Sequence, residues 1–310
     1  MDDIPPSQPP ASAAAPPAAP AASGPPAIEG PAAKPAKAPK PKKEETWWGT
    51  IRFLLYLFVG AILIRTFIFA PFSIPSGSMM PSLLVGDYLF VSKWSYGYSR
   101  FSLPFHPINF EGRMLGGVPE RGDVIVFRHP TLGEDYVKRV IGLPGDTIAV
   151  HAGVVHLNGQ AVPRQRLEPF DLPVSPNSPC PEVRDNIANY AVRQSTGADG
   201  QPHCLYPRFR ETLPGGRSFD VLDQGVTTGD TFGPVTVPQG HLFVMGDNRD
   251  DSMDSRFPPD AIYKGVGLLP IDHVLGRALI GFWSTDGSAQ WLLPWTWVTA
   301  ARWSRIFETY

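Results

Sequence analysis

Three short stretches carry side chains whose types and spacing fit the cleavage of a bond. The first is FSIPSGSMMPSLLVGDYLFVSK (72–93), in which Ser76 and Ser78 stand two residues apart. In an extended chain both hydroxyls face one side. A Ser-Gly-Ser on its own is usually an ordinary loop. Gly77 directly precedes Ser78, which excludes the G-x-S-x-G elbow of the α/β-hydrolases. The second stretch is GDVIVFRHP followed by DYVKRVIGLPGD. Strand alternation puts Tyr136, Lys138 and Val140 on one face and Val137, Arg139 and Ile141 on the other. Burying a lysine among apolar neighbours penalises its charged form and lowers its pKa by up to about 3–5 units from about 10.4. The neutral amine then takes a proton from a serine hydroxyl. Taken alone, the segment reads more simply as an edge strand whose lysine faces water. The third stretch, MGDNRDDSMDSR (245–256), sets Asp247, Asp250, Asp251, Asp254, Arg249 and Arg256 around Ser252. It is not a calcium loop, because it lacks the sharp-turn glycine and the closing bidentate glutamate. The seven histidines are scattered, and none has the sequence setting of a triad base.

The surrounding sequence supplies elements to position these groups. Hydrophobic residues make up 43% of the 310 positions and charged residues 18%, an ordinary balance for a buried core. A formal net charge of -2 gives no indication of a nucleic-acid partner. Residues 1–46 are mostly Ala and Pro with a few lysines, a composition that cannot bury enough apolar surface to order itself. They read as a disordered tail. WWGTIRFLLYLFVGAILIRTFIFAPF (47–72) is almost continuously apolar and long enough to cross a bilayer. Arg52 and Arg65 lie near its ends, where they can snorkel, and Trp47 and Trp48 suit an interface. The run is too long for a cleaved leader and follows a long polar tail, so it reads as a retained anchor. The lysines before it place the tail in the cytoplasm and the remainder outside.

Beyond Pro71 the texture is β-rich. DYLFV (87–91), DVIVF (123–127), YVKRVIGL (136–143), TIAVHAGVVHLNGQAV, HLFVMGD (241–247) and RALIGFW (277–283) read as strands. Asn158-Gly159 is a hairpin turn signal. The expected fold is mainly antiparallel β behind one transmembrane helix. Its divisions are a β region at 73–159 and 239–285, an insertion of short strands and loops at 160–238 and an aromatic C-terminal segment at 286–310. That last segment fits either an interfacial location or terminal packing. Cys180 and Cys204 are either a disulfide or two free thiols.

The three stretches, in this order and spacing, resemble the conserved boxes of the bacterial type I signal peptidases. The likeness covers roughly 62–160 and 239–283. It implies a mostly antiparallel β fold with an inserted cap and a Ser/Lys dyad, with Ser78 as nucleophile and Lys138 as general base. Ser76 is then the side-chain oxyanion donor beside the Ser78 N–H, Ser252 orients the Lys138 amine, and Tyr136 packs beside it. Arg139 with Asp247, and Asp254 with Arg256, become structural ion pairs. Phe72, Ile74, Leu83 and Val137 line the pockets for small substrate side chains. Ser82 departs from the family, where many members carry Thr, and only one anchor is evident where some members have two. The implied activity removes N-terminal signal peptides from exported preproteins after Ala-x-Ala-type sites. It needs no metal or cofactor, and takes place at the bacterial inner membrane with the catalytic part periplasmic. The implied partners are preproteins and the lipid bilayer, with room for the export translocon. Rival readings are another Ser/Lys protease and a catalytically silent tethered protein. The silent reading requires Ser78 or Lys138 to be missing, and both are present.

Overall fold

In the computed structural model the described residues are 47–102, 112–182, 187, 190–260, 262, 264–290 and 292–310. The expected tail at 1–46 lies outside them. The chain divides into two units at Trp48/Gly49, and the second, 49–310, contains every described strand and all of the helix but Trp47 and Trp48.

The apolar run forms one helix, α1 (Trp47–Phe67), of 21 residues. At 1.5 Å per residue it spans about 32 Å, close to the hydrocarbon thickness of a bilayer. Its apolar side chains are exposed almost throughout; only its last turn packs on the chain, with Thr66 buried and Phe67 against Tyr98. The helix stops short of the expected end at 72. Phe69–Ser73 is instead the first strand, β1. Pro71 removes a helical donor and disfavours helix at Ala70 before it, which turns the chain into extended structure.

Strands β2 (Asp87–Ser92), β3 (Val124–Arg128) and β4 (Asp135–Gly142) follow, each on an expected apolar run. β5 (Thr147–His151), β6 (Val154–Leu157) and β7 (Gln160–Ala161) form a meander. Asn158 and Gly159, both at positive φ, make the β6–β7 turn as their types demand. Then come β8 (Arg164–Arg166), β9 (Phe170–Pro173), β10 (Arg193–Thr196), β11 (Pro202–Tyr206), β12 (Arg208–Thr212) and β13 (Ser218–Leu222). The last strands are β14 (Phe232–Thr236), β15 (His241–Met245), β16 (Leu269–Pro270) and β17 (Val274–Ser284), and a short helix α2 (Pro294–Thr299) precedes the end.

The main sheet has the order β1-β2-β17-β3-β4-β15-β16, with antiparallel neighbours throughout. Alternation along β3 feeds two cores: Val124 and Val126 join Ile74, Met79, Leu83 and Leu89 on one face, while Ile125 and Phe127 join Val140, Val244 and Leu269 on the other. The fold is mainly β and antiparallel, as the sequence indicates. Sheets β13-β12-β8 and β10-β11-β9 hold the part expected as a cap. A fourth sheet, β14-β5-β6-β7, joins two strands on the core side of the expected boundary at 159/160, β5 and β6, to two from the expected cap, β7 and β14. Cys180 and Cys204 are joined as a disulfide, with Cα atoms 5.7 Å apart. The C-terminal segment packs on the main sheet. Gly281 and Tyr310 donate backbone N–H groups to Glu308 and Leu279 carbonyls, and Arg305 reaches Asp87 and the Ser82 carbonyl. Its outer side chains Trp295, Trp303 and Phe307 stay exposed.

Candidate active site

Ser78 sits on a single 3-10 turn, Gly77–Met79, directly after β1. Met79 anchors the turn in the core. Asn248 pins it from the other side: its backbone N–H donates to the Ser78 carbonyl at 3.1 Å and its Nδ2 to the Gly77 carbonyl at 3.1 Å. Lys138 projects from the middle of β4, opposite Ile125 of β3. Only 3% of it is exposed. Its Nζ donates to Ser78 Oγ at 2.7 Å, across a sequence separation of 60. The Tyr136 ring lies beneath the amine at 5.6 Å from its centroid.

This setting changes the chemistry of the amine. Burial away from water is the largest influence and brings the Lys138 pKa from 10.5 down to about 8; Asp254, Asp247 and Asp251 oppose it, and Arg256 assists. A substantial share of the amine is therefore neutral near pH 8. None of the histidines among the described residues bonds to Ser78.

Two bidentate ion pairs stand behind the dyad. Arg139 grips Asp247 through Nε at 2.8 Å and Nη2 at 2.6 Å, and Arg256 grips Asp254 through Nε at 2.9 Å and Nη2 at 3.0 Å. All four side chains are buried. Burial alone would raise the Asp254 pKa, but the Arg256 charge and the bonds it accepts hold it below the usual carboxylate range. Asp254 also accepts from the Gly246 N–H and the Ser252 hydroxyl, so one carboxylate organises the whole 246–256 loop. Ser76 Oγ lies 3.5 Å from Ser78 Oγ, and no hydrogen bond from the Ser78 N–H is present among the described residues. A groove of about 570 Å³ runs up to the nucleophile, walled by Phe72, Ile74 and Ser76 on one side and Tyr136 and Val137 on the other.

Known proteins share this arrangement of sequence. The family model described as Signal peptidase, peptidase S26 matches residues 47–283. Signal peptidase I of Rickettsia felis is 34% identical over 286 residues, covering 86% of this chain and 92% of that protein. Signal peptidase I of Rickettsia typhi is 34% identical over 268 residues, covering 80% and 88%. The chain belongs to the signal peptidase S26 family. It is a serine peptidase, a hydrolase of the kind that removes signal peptides. A crystal structure of a signal peptidase I from Enterococcus faecalis V583 aligns over 52% of this chain and 97% of its own at 24% identity, with a TM-score of 0.26, too loose a superposition to bear on the geometry.

Most side chains singled out in this signal peptidase sequence converge. Ser76, Ser78 and Tyr136 line the groove together with Phe72, Ile74 and Val137, and Lys138, itself buried, reaches the groove's Ser78. Leu83 does not: it is fully buried with Met79 and Leu89 in the core, and the groove's lining excludes it. It follows the nucleophile turn into the packed interior, one layer behind the wall. Ser252 also differs from expectation. Its hydroxyl donates to Asp254 at 2.9 Å, and no hydrogen bond joins it to Lys138. The Asp254 carboxylate, already holding Arg256, is the stronger acceptor.

Two participants, Asn248 and Gly246, have no role in the sequence reading, and a third, Ser82, enters it only as a departure from the family. Asn248 supports the nucleophile turn. Gly246 passes so close to Ser252 and the Ser78 carbonyl that a Cβ there has no room. Ser82 donates to Asp247 at 2.5 Å and accepts from Arg139 at 3.1 Å. Gly246 and Asn248 lie inside the GDNRDDS stretch, yet their roles depend on a turn 170 residues away, which no local pattern reveals.

Proposed function

We propose that this protein removes signal peptides with a Ser78/Lys138 dyad, cutting after Ala-x-Ala-type sites. The observation that carries the reading is the 2.7 Å hydrogen bond between a buried lysine amine and a serine hydroxyl at the head of a groove. The substrate lies extended between the 72–76 and 134–137 segments, adding as a strand. Neutral Lys138 takes the proton of Ser78, whose oxygen attacks the carbonyl of the residue before the cut. The Ser78 N–H and the Ser76 hydroxyl donate to the resulting oxyanion. Collapse of the intermediate expels the new amine, which takes the proton from the Lys138 ammonium. The neutral amine next activates a water that attacks the acyl ester, and the proton returns to Ser78. Ser252 and Tyr136 hold the amine's surroundings, Ser252 through Asp254 and Tyr136 through its ring.

In this reading α1 is a single-pass anchor, the lysine-bearing tail is cytoplasmic, and residues from 73 onward face the periplasm beside the export translocon. The direct test incubates the purified full chain with a preprotein bearing Ala-x-Ala before its mature sequence. One cut after the second Ala by the wild type and none by Ser78→Ala is the expected result. Uncut preprotein with the wild type would overturn the reading. Protease added to spheroplasts should digest the β domain and spare the tail; the reverse would invert the topology.

A further inference from the structure

The groove accounts for residues before the cut, but the substrate chain continues past it. The nucleophile turn separates two cavities. In a 3-10 turn residues three apart share a face. Ser76 and Met79 face the groove, while Gly77 and Met80 line a second cavity of about 300 Å³. Met80, Leu172 and Tyr206 give this cavity apolar walls, with Asn248 and Asp251 at the side of the catalytic loop. Asn248 belongs to both structures: its amide supports the Gly77 carbonyl and accepts from Gln224 Nε2 at 2.8 Å. Residues 177–181 form a strap across the remaining side.

That strap is fixed by groups unrelated to the dyad. Asn177 Nδ2 donates to the Thr285 carbonyl and its backbone N–H to the Asp286 carbonyl, both at 2.9 Å. Ser178 Oγ accepts from Arg302 at 2.9 Å. Cys180, between the lining residues Pro179 and Pro181, is bonded to Cys204 on β11, the strand that also carries Tyr206. The disulfide thus ties one wall of the cavity to another. An extended chain advances about 3.3 Å per residue, so the three residues after a cut at Ser78 reach about 10 Å beyond it.

Building on the signal-peptidase reading above, we infer that this cavity binds one apolar side chain among the first three residues of the mature protein. The disulfide-tied strap forms its outer wall. The cap of the enzyme therefore reads sequence after the cut, while the groove reads sequence before it.

The test uses purified full-length enzyme and peptides identical through an Ala-x-Ala site, carrying Gly or Leu at each of the next three positions. At one position Leu should exceed Gly in kcat/KM by about tenfold, the discrimination ordinary for an apolar pocket. Pro181→Trp, which fills the cavity, and Cys180→Ser with Cys204→Ser, which frees the strap, should bring that ratio toward one. Neither should alter the preference for Ala over Leu directly before the cut. Equal kcat/KM for Gly and Leu at all three positions overturns the inference. So does an unchanged ratio in both variants. Cleavage of none of the peptides defeats the signal-peptidase reading itself, and the pocket with it.

Discussion

The catalytic loop and the cap differ in how far they bury their charges. Around the dyad, Arg139–Asp247, Arg256–Asp254 and Arg249–Glu211 are all buried, the last tying the loop to β12. In the cap, Arg210 pairs with Asp220 while leaving 51% of its own side chain in solvent. A buried pair contributes little net stability against apolar replacement, yet losing one partner strands the other. An exposed pair is worth about 0–1 kcal/mol and moves freely. Buried ionic contacts thus act as positioning devices here, concentrated where loop 246–256 meets the nucleophile turn. The cap lends Glu211 to the loop and keeps one largely buried pair of its own, Arg164–Asp223, but relies more on the disulfide, with a sequence separation of 24, and on an apolar cluster of Met80, Leu84, Leu172, Cys204, Tyr206 and Leu222 shared with the nucleophile segment.

The largest test of this contrast removes the dyad. Ser78→Ala and Lys138→Ala should each lower kcat by about 10⁴-fold or more while circular dichroism shows a folded chain. An active Lys138→Ala enzyme would leave the buried network without a purpose. Next comes one half of a buried pair. Asp254→Ala should cost about 3–5 kcal/mol in chemical denaturation, because Arg256 loses its counter-charge. If Asp220→Ala costs as much, the contrast between the regions fails.

Ser76→Ala should lower kcat by about 10²–10³-fold with KM nearly constant, the signature of a donor used in the transition state. A change confined to KM would assign Ser76 to ground-state binding. The rate against pH sharpens the electrostatic side. The amine acts only when neutral, and its pKa is lowered to about 8, so kcat/KM should rise with pH and level off above that value. Below it, each pH unit should cost about tenfold. Ser252→Ala should move the midpoint or the plateau, since Ser252 bonds the carboxylate that stands closest in influence to Lys138. A midpoint near pH 6.5 that vanishes with one histidine replacement would point to a conventional triad. The smallest expected effect is Arg210→Ala, within about 0.5 kcal/mol of wild type by thermal or chemical denaturation. A loss above 2 kcal/mol would show that the cap too depends on placed charge.

Much of this was legible in the chain. The apolar run from Trp47 reads as a helix because a segment this long and hydrophobic suits a bilayer span, where the backbone must satisfy its own hydrogen bonds. Short β-rich runs bounded by turn residues located β2, β3, β4, β15 and β17, and the positive φ required of a two-residue turn suited Asn158 and Gly159. The helix end was misplaced by five residues, since composition alone does not weigh Pro71 against the aromatic residues around it. Leu83 matched a motif position but packs inward, because the motif fixes sequence spacing and not the direction of a side chain.

By itself, then, the sequence determined the order of elements, the chemical types at the site and the family to which they belong. These follow from local propensity, hydrophobic period and motif. Tertiary structure decided the rest. It brought Lys138 within reach of Ser78 across 60 residues and Asn248 beneath the nucleophile turn across 171. It also turned Ser252 toward Asp254 and closed the strap with Cys204. Each of these depends on how water is excluded when distant strands pair. A lysine becomes a base only where burial makes its charge costly, and burial is a property of the folded chain alone.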